Sequence, residues 1–184
     1  MRASSGRRRE AADTLAPWAP TTPPTTTASR PPSSCDSSPK GDPPGFVKVL
    51  DDTTLAVPER KGNKRVDGYL NVLENPHAGL IFLVPGRGDT LRVNGRARLV
   101  SDAPWFDEMQ VKGHRPVLAL VLDVEEVFFH CAKAFMRSQL WHPSTWDPMA
   151  VGSRPEIAKA LERPEDSVEE LERYYGEQYS TGLY

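Results

Sequence analysis

Large apolar side chains are scarce at the start of this chain. Before residue 46, only Met1, Leu15 and Trp18 are large and apolar, and nine of the 18 prolines lie in the same stretch. A segment with so little apolar surface to bury cannot offset the entropy that folding removes. We therefore predict that residues 1–34 are disordered and that the core of the protein is built from later residues.

The chain also has few cysteines and no long apolar run, and each of these absences excludes a class of protein. Two cysteines, Cys35 and Cys131, do not make the disulfide framework of a small secreted protein, so we expect reduced thiols and a cytoplasmic location. No apolar run reaches the roughly 20 residues that a membrane-spanning helix needs. The arginines near the start are not followed by the apolar segment of a secretory signal.

His130 and Cys131 raise the question of a metal site or a nucleophile. Neighbouring side chains on a strand point to opposite faces, so the two residues cannot readily share one metal ion. No second histidine or cysteine lies at the spacing of a zinc site. Adjacency also does not supply the geometry of a catalytic cysteine–histidine pair. We expect no metal, and structural roles for both residues.

Short strands dominate the rest of the chain. Phe46–Leu50 and Thr54–Val57 flank a polar break and predict a hairpin. Ala78–Val84 and Pro116–Val124 are apolar runs typical of buried strands. Thr90–Val100 alternates between apolar and polar residues, which predicts a half-buried strand with a basic face. We predict a mostly β fold with helices, in which five or six strands form a small barrel and closure removes exposed edges. An open α+β sheet fits the same pattern.

Helical spacing begins after the hairpin. Apolar side chains recur three and four residues apart at Val66, Tyr69, Leu70 and Leu73. Asn63 is a suitable N-cap for this helix, and Asn75 before a proline ends it. The other predicted helices are short and lie at Asp102–Gln110, His130–Leu140, Arg154–Leu161 and Ser167–Tyr175. Ser167 and Glu170 have the spacing of a capping box.

Asn63, Lys64 and Arg65 form a basic cluster at the start of the first predicted helix. The unpaired amides and the dipole of a helix start favour an anion, whereas positive side chains there are mildly unfavourable. A bound phosphate resolves this conflict by accepting hydrogen bonds from the amides, from Asn63 and from the guanidinium of Arg65. A solvated basic turn is the alternative interpretation.

A second basic feature is the polar face of the strand Thr90–Val100, which carries Arg92, Arg96 and Arg98. This face is compatible with a ligand groove, with a subunit interface or with the solvated side of a barrel strand. A nucleic-acid surface is disfavoured because no exposed aromatic residues interleave with the arginines and the net charge is −2. We therefore expect no nucleic-acid partner and no membrane partner.

Three segments carry a resemblance to a known family: CDSSPKGDPPGFVKVLDDTTLAVPER, GNKRVDGYLNVLENPHAGLIFLVPGRGDTLRVNGRARLV and EEVFFHCAKAFMRSQLWHP. They resemble the flavin-binding split barrel of pyridoxamine 5'-phosphate oxidase-like proteins, and most closely the branch described only as FMN-dependent enzymes. The resemblance covers residues 35–150 and leaves residues 151–184 as a C-terminal helical tail. It implies an FMN-binding split β-barrel, mostly β, with short C-terminal helices.

The resemblance also implies a cofactor site between the two subunits of a homodimer. The FMN-binding positions that it implies are Ser38, Lys40, Asn63, Lys64, Arg65, Arg92 and Arg96. The cluster that begins at Asn63 would hold the phosphate. Ser38 and Lys40 would lie along the isoalloxazine, where Lys40 is also placed to polarise the ring. Arg92 and Arg96 would approach the cofactor or the partner subunit.

The implied function is that of an FMN-dependent oxidoreductase, which moves electrons between a nicotinamide or similar donor and a small-molecule substrate that the sequence does not identify. The alternative is a barrel that binds flavin or haem without turnover. No catalytic acid or base can be named from the sequence. The pyridoxal-phosphate-binding arginine and histidine of the oxidase itself have no counterpart that we can place, so vitamin B6 oxidation is not implied.

The start of the chain departs from the family pattern. Such proteins begin with a helix and an apolar strand just before the position of Cys35, whereas this chain has WAPTTPPTTTASRPPSS. Runs of proline, threonine, arginine, serine and alanine are typical of GC-rich coding DNA read out of frame. We hypothesise that residues 1–34 are a frameshifted or wrongly started version of the first strand, which would leave the barrel one strand short. Other reading frames that contain no apolar, strand-like segment there would contradict this hypothesis.

Overall fold

The protein is described by a computed structural model that covers residues 25–30, 34–62 and 66–184. The chain divides into two compact units, and the second begins at His142. The first unit contains an antiparallel sheet with one helix packed against it, and the second contains short helices. The predicted helical tail, from residue 151, falls inside the second unit.

Seven strands form the sheet of the first unit. Their bounds are β1 Thr25–Arg30, β2 Ser34–Pro39, β3 Lys48–Asp51, β4 Thr54–Glu59, β5 His77–Phe82, β6 Thr90–Val100 and β7 Leu118–His130. They lie in the order β2-β1-β5-β6-β7-β4-β3. Each neighbouring pair is antiparallel. The prediction of a mostly β fold with helices is confirmed, and the predicted hairpin is the β3–β4 pair.

The helices in the described part of the chain are short. Their bounds are α1 Asp67–Glu74, α2 Lys133–Arg137, α3 Arg154–Leu161 and α4 Val168–Tyr174, with single 3-10 helices at Pro104–Met109, Pro143–Thr145 and Glu177–Gly182. None of these helices is long and apolar enough to cross a membrane.

β6 lies at the centre of the sheet and matches its predicted bounds. Leu91, Val93 and Ala97 are buried in the main core, on what we call the core face of the sheet. The alternate residues lie on the opposite side, which we call the charged face, and are Arg92, Asn94, Arg96 and Arg98. The predicted alternation is therefore confirmed, because side chains along a strand point to the two faces in turn.

A bulge interrupts the pairing of β6 with β7 beside Asn94 and Gly95, where Glu125 of β7 is an extra residue and the register shifts. The strands approach so closely here that a Cβ on Gly95 would lie 2.1 Å from the carbonyl oxygen of Asp123. Only glycine, which has no Cβ, fits this position without displacing backbone. Because the extra residue lies in β7, the alternation of β6 continues through the bulge, whereas the core-face residues of β7 are Leu122 and Val124 before the bulge and Val127 after it.

α1 corrects two predictions. It begins at Asp67 with Val66 as N-cap, not at Asn63, so an acidic residue occupies the first turn, where the helix dipole favours it. The predicted apolar stripe also does not face the core. Leu70 and Leu73 are exposed, and the buried residues are Asn71 and Val72. The spacing predicted the helix correctly but predicted the wrong buried face. Of the residues of α1, only Val72 is part of the main core.

β1 lies within the segment for which we predicted disorder. Residues 25–30 pair with β2 on one side and with β5 on the other. A strand therefore forms where the sequence suggested that one was missing. Thr25–Arg30 contains no large apolar residue, but its sequence TTTASR has the β-branched residues that favour strands. The rest of the predicted disordered segment, residues 1–24 and 31–33, lies outside the described residues.

The remaining elements show smaller differences from prediction. β5 begins at His77 and alternates, with Ala78 and Leu80 buried and Gly79 half-buried, so it is not covered equally on both faces. The short helix predicted from Asp102 is a 3-10 helix that begins at Pro104. α2 is shorter than predicted because β7 continues to His130, which pairs with Thr90 of β6.

The second unit contains two short α-helices, α3 and α4, which begin with the same kind of cap. α3 and α4 are each opened by a capping box, Ser153 with Glu156 and Ser167 with Glu170. The box at Ser167 was predicted from the sequence. In each box the serine accepts from the backbone amide of the glutamate, and the glutamate accepts from that of the serine. These hydrogen bonds hold the pKa of both glutamates below the usual value.

Candidate functional site

Arg92 is a half-buried cation on the charged face. Its direct neighbours across the sheet are Ile81 on β5 and Phe128 on β7, which are both apolar. The Nε atom of Arg92 is buried and has no hydrogen-bond partner among the described residues. A buried donor without an acceptor costs roughly 1–3 kcal/mol, and more when it is charged. Arg92 is therefore suited to an anionic group that the chain does not itself supply.

Arg96 lies on the same face, four residues further along β6, and is exposed. The residue directly opposite on β7 is Asp123, but that carboxylate accepts from Arg98 Nη1 at 2.6 and 2.7 Å. On β5 the opposite residue is His77, whose ring contacts Asn75 at 3.1 Å. Within the described part of the chain, Arg96 makes no ion pair. Arg92 and Arg96 thus present two available guanidiniums on one face, which is the face that the sequence alternation predicted to be basic.

Ser38 lies on the other face of the sheet. It pairs through Thr26 of β1 with Leu80 of β5, and Leu80 is part of the main core. Residues directly opposite each other share a face, so Ser38 belongs to the core face. The predicted site residues are therefore divided between the two faces: the structure brings Arg92 and Arg96 together but places Ser38 apart from them.

Lys40 follows the end of β2 and is held in a cluster of three polar side chains. Its Nζ forms an ion pair with Glu59 Oε2 at the end of β4 and donates to Tyr69 Oη of α1 at 2.8 Å. The Tyr69 hydroxyl in turn donates to the same Glu59 oxygen. The side chains of Lys40 and Glu59 are only 11% and 22% exposed. The cluster ties the turn after β2 to β4 and to α1.

A second ion pair lies beside this cluster. Arg60 Nε donates to Asp42 Oδ2 at 2.6 Å, and the Asp42 side chain is 2% exposed. The other guanidinium nitrogens donate to the carbonyl oxygens of Met109 at 2.6 Å and His114 at 3.1 Å. The Lys40–Asp42 turn is thus fastened at both charged residues to consecutive residues of the β4 end, which fixes where Lys40 lies.

Tyr69 is the most strongly perturbed titratable group that the structure describes in this region. Burial raises the pKa of its hydroxyl well above the ordinary value of 10.0, and the hydrogen bond to Glu59 and the charge of that carboxylate raise it further. The folded protein therefore favours the neutral, donating form of Tyr69.

Replacing Tyr69 with phenylalanine should change the alkaline limit of stability. In the wild type, the unfolded chain loses the Tyr69 proton above about pH 10 while the folded chain keeps it, so the unfolded state binds fewer protons and stability falls as pH rises. Tyr69→Phe removes this contribution. The free energy of unfolding of the wild type should therefore fall more steeply than that of the variant from about pH 9 to about pH 11, and parallel urea titrations would measure the difference. Equal slopes would contradict the assignment.

Asn63, Lys64 and Arg65 lie outside the described residues, so their predicted phosphate-binding role stays a prediction. Sequence reasoning named Lys40 but missed Glu59, Tyr69 and the Asp42–Arg60 pair. A signal was present in the segments PKGD and PER, each of which combines charged residues with proline at a strand end. Pairing between residues 18 to 29 positions apart cannot be deduced from such segments alone.

No cluster of three or more histidine, cysteine, aspartate or glutamate side chains suitable for a metal ion occurs in the described ranges. Cys131 is a free, exposed thiol. His130 ends β7 and is also exposed.

Comparison with known proteins identifies the family. The family model described as pyridoxamine 5'-phosphate oxidase matches residues 20–131, more than half of the chain, and the match begins inside the segment 1–34. A search of curated proteins found no match.

Solved structures share the fold at low sequence identity. One is a variant of HupZ from Group A Streptococcus, with a TM-score of 0.51 and 15% identity over 64% of this chain and 97% of that one. Another is an FMN-binding protein from Syntrophomonas wolfei subsp. wolfei, with a TM-score of 0.51 and 14% identity over 67% of this chain and 86% of that one. At this identity the likeness concerns the fold alone, and it agrees with the predicted split barrel. With the family model covering most of the sheet, the chain belongs to the pyridoxamine 5'-phosphate oxidase family.

Proposed function

We propose that this protein is an FMN-dependent oxidoreductase acting on a small molecule. The observation that carries the proposal is the buried Nε of Arg92, which has no partner among the described residues of a chain whose family includes flavin proteins. A half-buried cation whose buried Nε lacks an acceptor fits an anionic cofactor. FMN carries a phosphate and, when reduced, an anionic ring, and either would satisfy the Arg92 guanidinium.

Two arginines of this chain would contribute positive charge to the cofactor site. Arg92 supplies a positive charge between Ile81 and Phe128, its two apolar cross-strand neighbours. Arg96 supplies a second, exposed guanidinium on the same face. Bound FMN supplies hydride and single-electron transfer through its isoalloxazine ring, and the protein orients that ring and sets its electrostatic surroundings.

Substitution of Arg92 tests the proposal. We expect Arg92→Met to weaken FMN binding by roughly ten- to a hundredfold, since a charge-assisted hydrogen bond is lost. The matched control is Arg98→Met, on the same strand and face, whose guanidinium is already paired with Asp123. Fluorescence titration of FMN against each purified protein measures the dissociation constants. Equal weakening in both variants, or in neither, would contradict the role of Arg92.

The stability of the cofactor-free protein gives a second readout for the same residue. Because the described residues offer Arg92 Nε no acceptor, Arg92→Met should unfold at the same or a higher urea concentration than the wild type. A loss of FMN affinity together with a marked loss of stability would instead indicate a structural role.

We also propose that the protein acts as a homodimer. Ser38 lies on the core face while Arg92 and Arg96 lie on the opposite face, so contacts from a second subunit would let one FMN meet both sets. Phe128 and Phe129 near the end of β7 are 38% and 50% exposed, which suits burial against a partner. Analytical ultracentrifugation of the purified protein tests this proposal, and a monomer that binds FMN would contradict it.

Reduction of the bound flavin separates an enzyme from a carrier. The visible absorbance of bound FMN should bleach when a reduced nicotinamide is added without oxygen, if the protein is an oxidoreductase that uses this donor. A bound flavin that no donor reduces, or retention of haem in place of FMN, would favour the non-catalytic cofactor-binding barrel.

A further inference from the structure

A cavity of about 290 Å³ lies between the turn that follows β2 and the end of the 3-10 helix Pro104–Met109. Residues 43–46 form one wall and residues 108–111 form the other, and Lys48 of β3 and Arg60 complete the lining. Ligand sites in proteins have volumes of roughly 300–1,000 Å³, so this cavity suits a ligand with one ring or a short branched chain. Three fused rings of a flavin are too large for it. We call it the Lys48 cavity.

The two walls of the Lys48 cavity are held in place. Residues 43–45 have the sequence Pro-Pro-Gly, in which the prolines fix φ and Gly45 has a φ of 89°, in the left-handed region that favours glycine. Arg60 fastens both walls, because its Nε donates to Asp42 Oδ2 at 2.6 Å and its Nη2 donates to the carbonyl oxygen of Met109 at 2.6 Å. A cavity with fixed walls loses little entropy when a ligand binds.

The lining combines buried apolar side chains with a charged pair that reaches solvent. Phe46 and Met109 line the cavity and are only 8% and 6% exposed. Lys48 Nζ and Glu108 Oε2 form an ion pair at 2.5 Å, and these two side chains are 25% and 65% exposed. A small ligand with an apolar body and one charged group matches this division.

The charges of the lining favour an anionic group over a cationic one. Lys48 and Arg60 are cations, and Glu108 is the one anion that lines the cavity among the described residues. Arg60 is paired with Asp42, whereas Lys48 Nζ has three protons and donates one of them, to Glu108, within the described part of the chain. Glu108 is the more exposed partner, so water screens its charge more effectively. A ligand carboxylate can therefore accept from Lys48 without breaking a buried bond.

We infer that the Lys48 cavity binds a small monocarboxylic acid whose body is a single apolar ring or a short branched chain. Lys48 recognises the carboxylate, and Phe46 and Met109 contact the apolar body. This site goes beyond the proposed function, because neither its lining nor its ligand depends on bound FMN.

Three probes with the same ring but different charge test the inference. Benzoate is anionic, benzamide is neutral and benzylamine is cationic at neutral pH. The full-length wild type should bind benzoate at least about tenfold more tightly than benzamide, because the amide cannot form a charge-assisted hydrogen bond with Lys48. Lys48→Met should lose this preference. The matched variant Glu108→Gln, which removes the other charge of the same pair, should keep or increase it.

The methionine methyl groups report where the probes bind. In protein whose methionine methyl groups are labelled with carbon-13, the ring current of bound benzoate should shift the NMR signal of Met109, which Met109→Leu identifies. Met136 and Met149 are 71% and 73% exposed and do not line the cavity, so their signals should stay in place. Titration of the Met109 signal gives the dissociation constant of each probe.

Each result either supports the site or overturns it. A Met109 shift with benzoate, together with loss of the preference in Lys48→Met, supports it. An unshifted Met109 signal in the wild type, an equal or greater affinity for benzamide or benzylamine, or an unchanged preference in Lys48→Met would overturn it. The wild-type comparison of the three probes needs no variant to fold, and none of these outcomes bears on FMN binding.

Discussion

Gly95→Ala should destabilise the protein by about 3 kcal/mol or more, at the upper end of the range for forced overpacking. The added Cβ would lie 2.1 Å from the carbonyl oxygen of Asp123 and 3.1 Å from the Cα of Val124, which are backbone atoms that cannot rotate away. The β6–β7 pair must separate at the bulge to admit it, and these two strands form the middle of the sheet. Small domains have only about 5–15 kcal/mol of stability in total, so a large fraction would be lost.

Urea denaturation followed by circular dichroism measures this effect. The matched control is Gly62→Ala, since no atom lies within 4 Å of a Cβ built on Gly62. That variant should differ from the wild type by less than about 1 kcal/mol. Similar midpoints for Gly95→Ala and the wild type would show that the bulge is not as tightly packed as the structure describes.

Arg60→Met should be the second severe substitution, with an expected loss of about 3–5 kcal/mol. It takes the Arg60 guanidinium away from the carboxylate of Asp42, whose side chain is 2% exposed, and it removes the donors to the carbonyls of Met109 and His114. Removing one partner of a buried ion pair costs far more than the net gain from the pair itself. The turn that carries Lys40 would lose one of its two attachments to β4.

Two comparisons identify the cause of the Arg60 effect. Arg115→Met removes an exposed guanidinium that pairs with Asp102 and Asp107, and it should cost no more than about 1 kcal/mol. Adding Asp42→Asn to Arg60→Met should recover part of the loss, because the buried negative charge that paired with Arg60 is then removed as well. If the double variant were less stable than Arg60→Met alone, the buried charge would not be the source of the instability.

The sequence predicted best where structure depends on local pattern. The bounds and alternation of β6 follow from the repeat of apolar and polar residues, and the cap of α4 follows from the spacing of Ser167 and Glu170. Both depend on residues within a few positions of each other. The family resemblance likewise rests on contiguous segments, and the match to residues 20–131 confirms it.

Three features that the sequence did not predict correctly or in full depend on tertiary contacts. α1 exposes Leu70 and Leu73 and buries Val72. Packing against the sheet, and not the apolar spacing within the helix, therefore determines which side of α1 is buried. β1 pairs with a strand on each side, and composition alone cannot predict such pairing. Lys40 was expected from the family resemblance to lie along the isoalloxazine, but the sequence did not predict that its ammonium contacts Glu59 and Tyr69, residues 19 and 29 positions away.

FMN titration of the purified, full-length wild-type protein tests the central claim most directly. The claim is that the charged face, with the buried Nε of Arg92, and the turn that holds Lys40 together bind a flavin. Quenching of FMN fluorescence should saturate at one FMN per chain. A protein that is folded by circular dichroism but shows no saturable quenching would contradict the account.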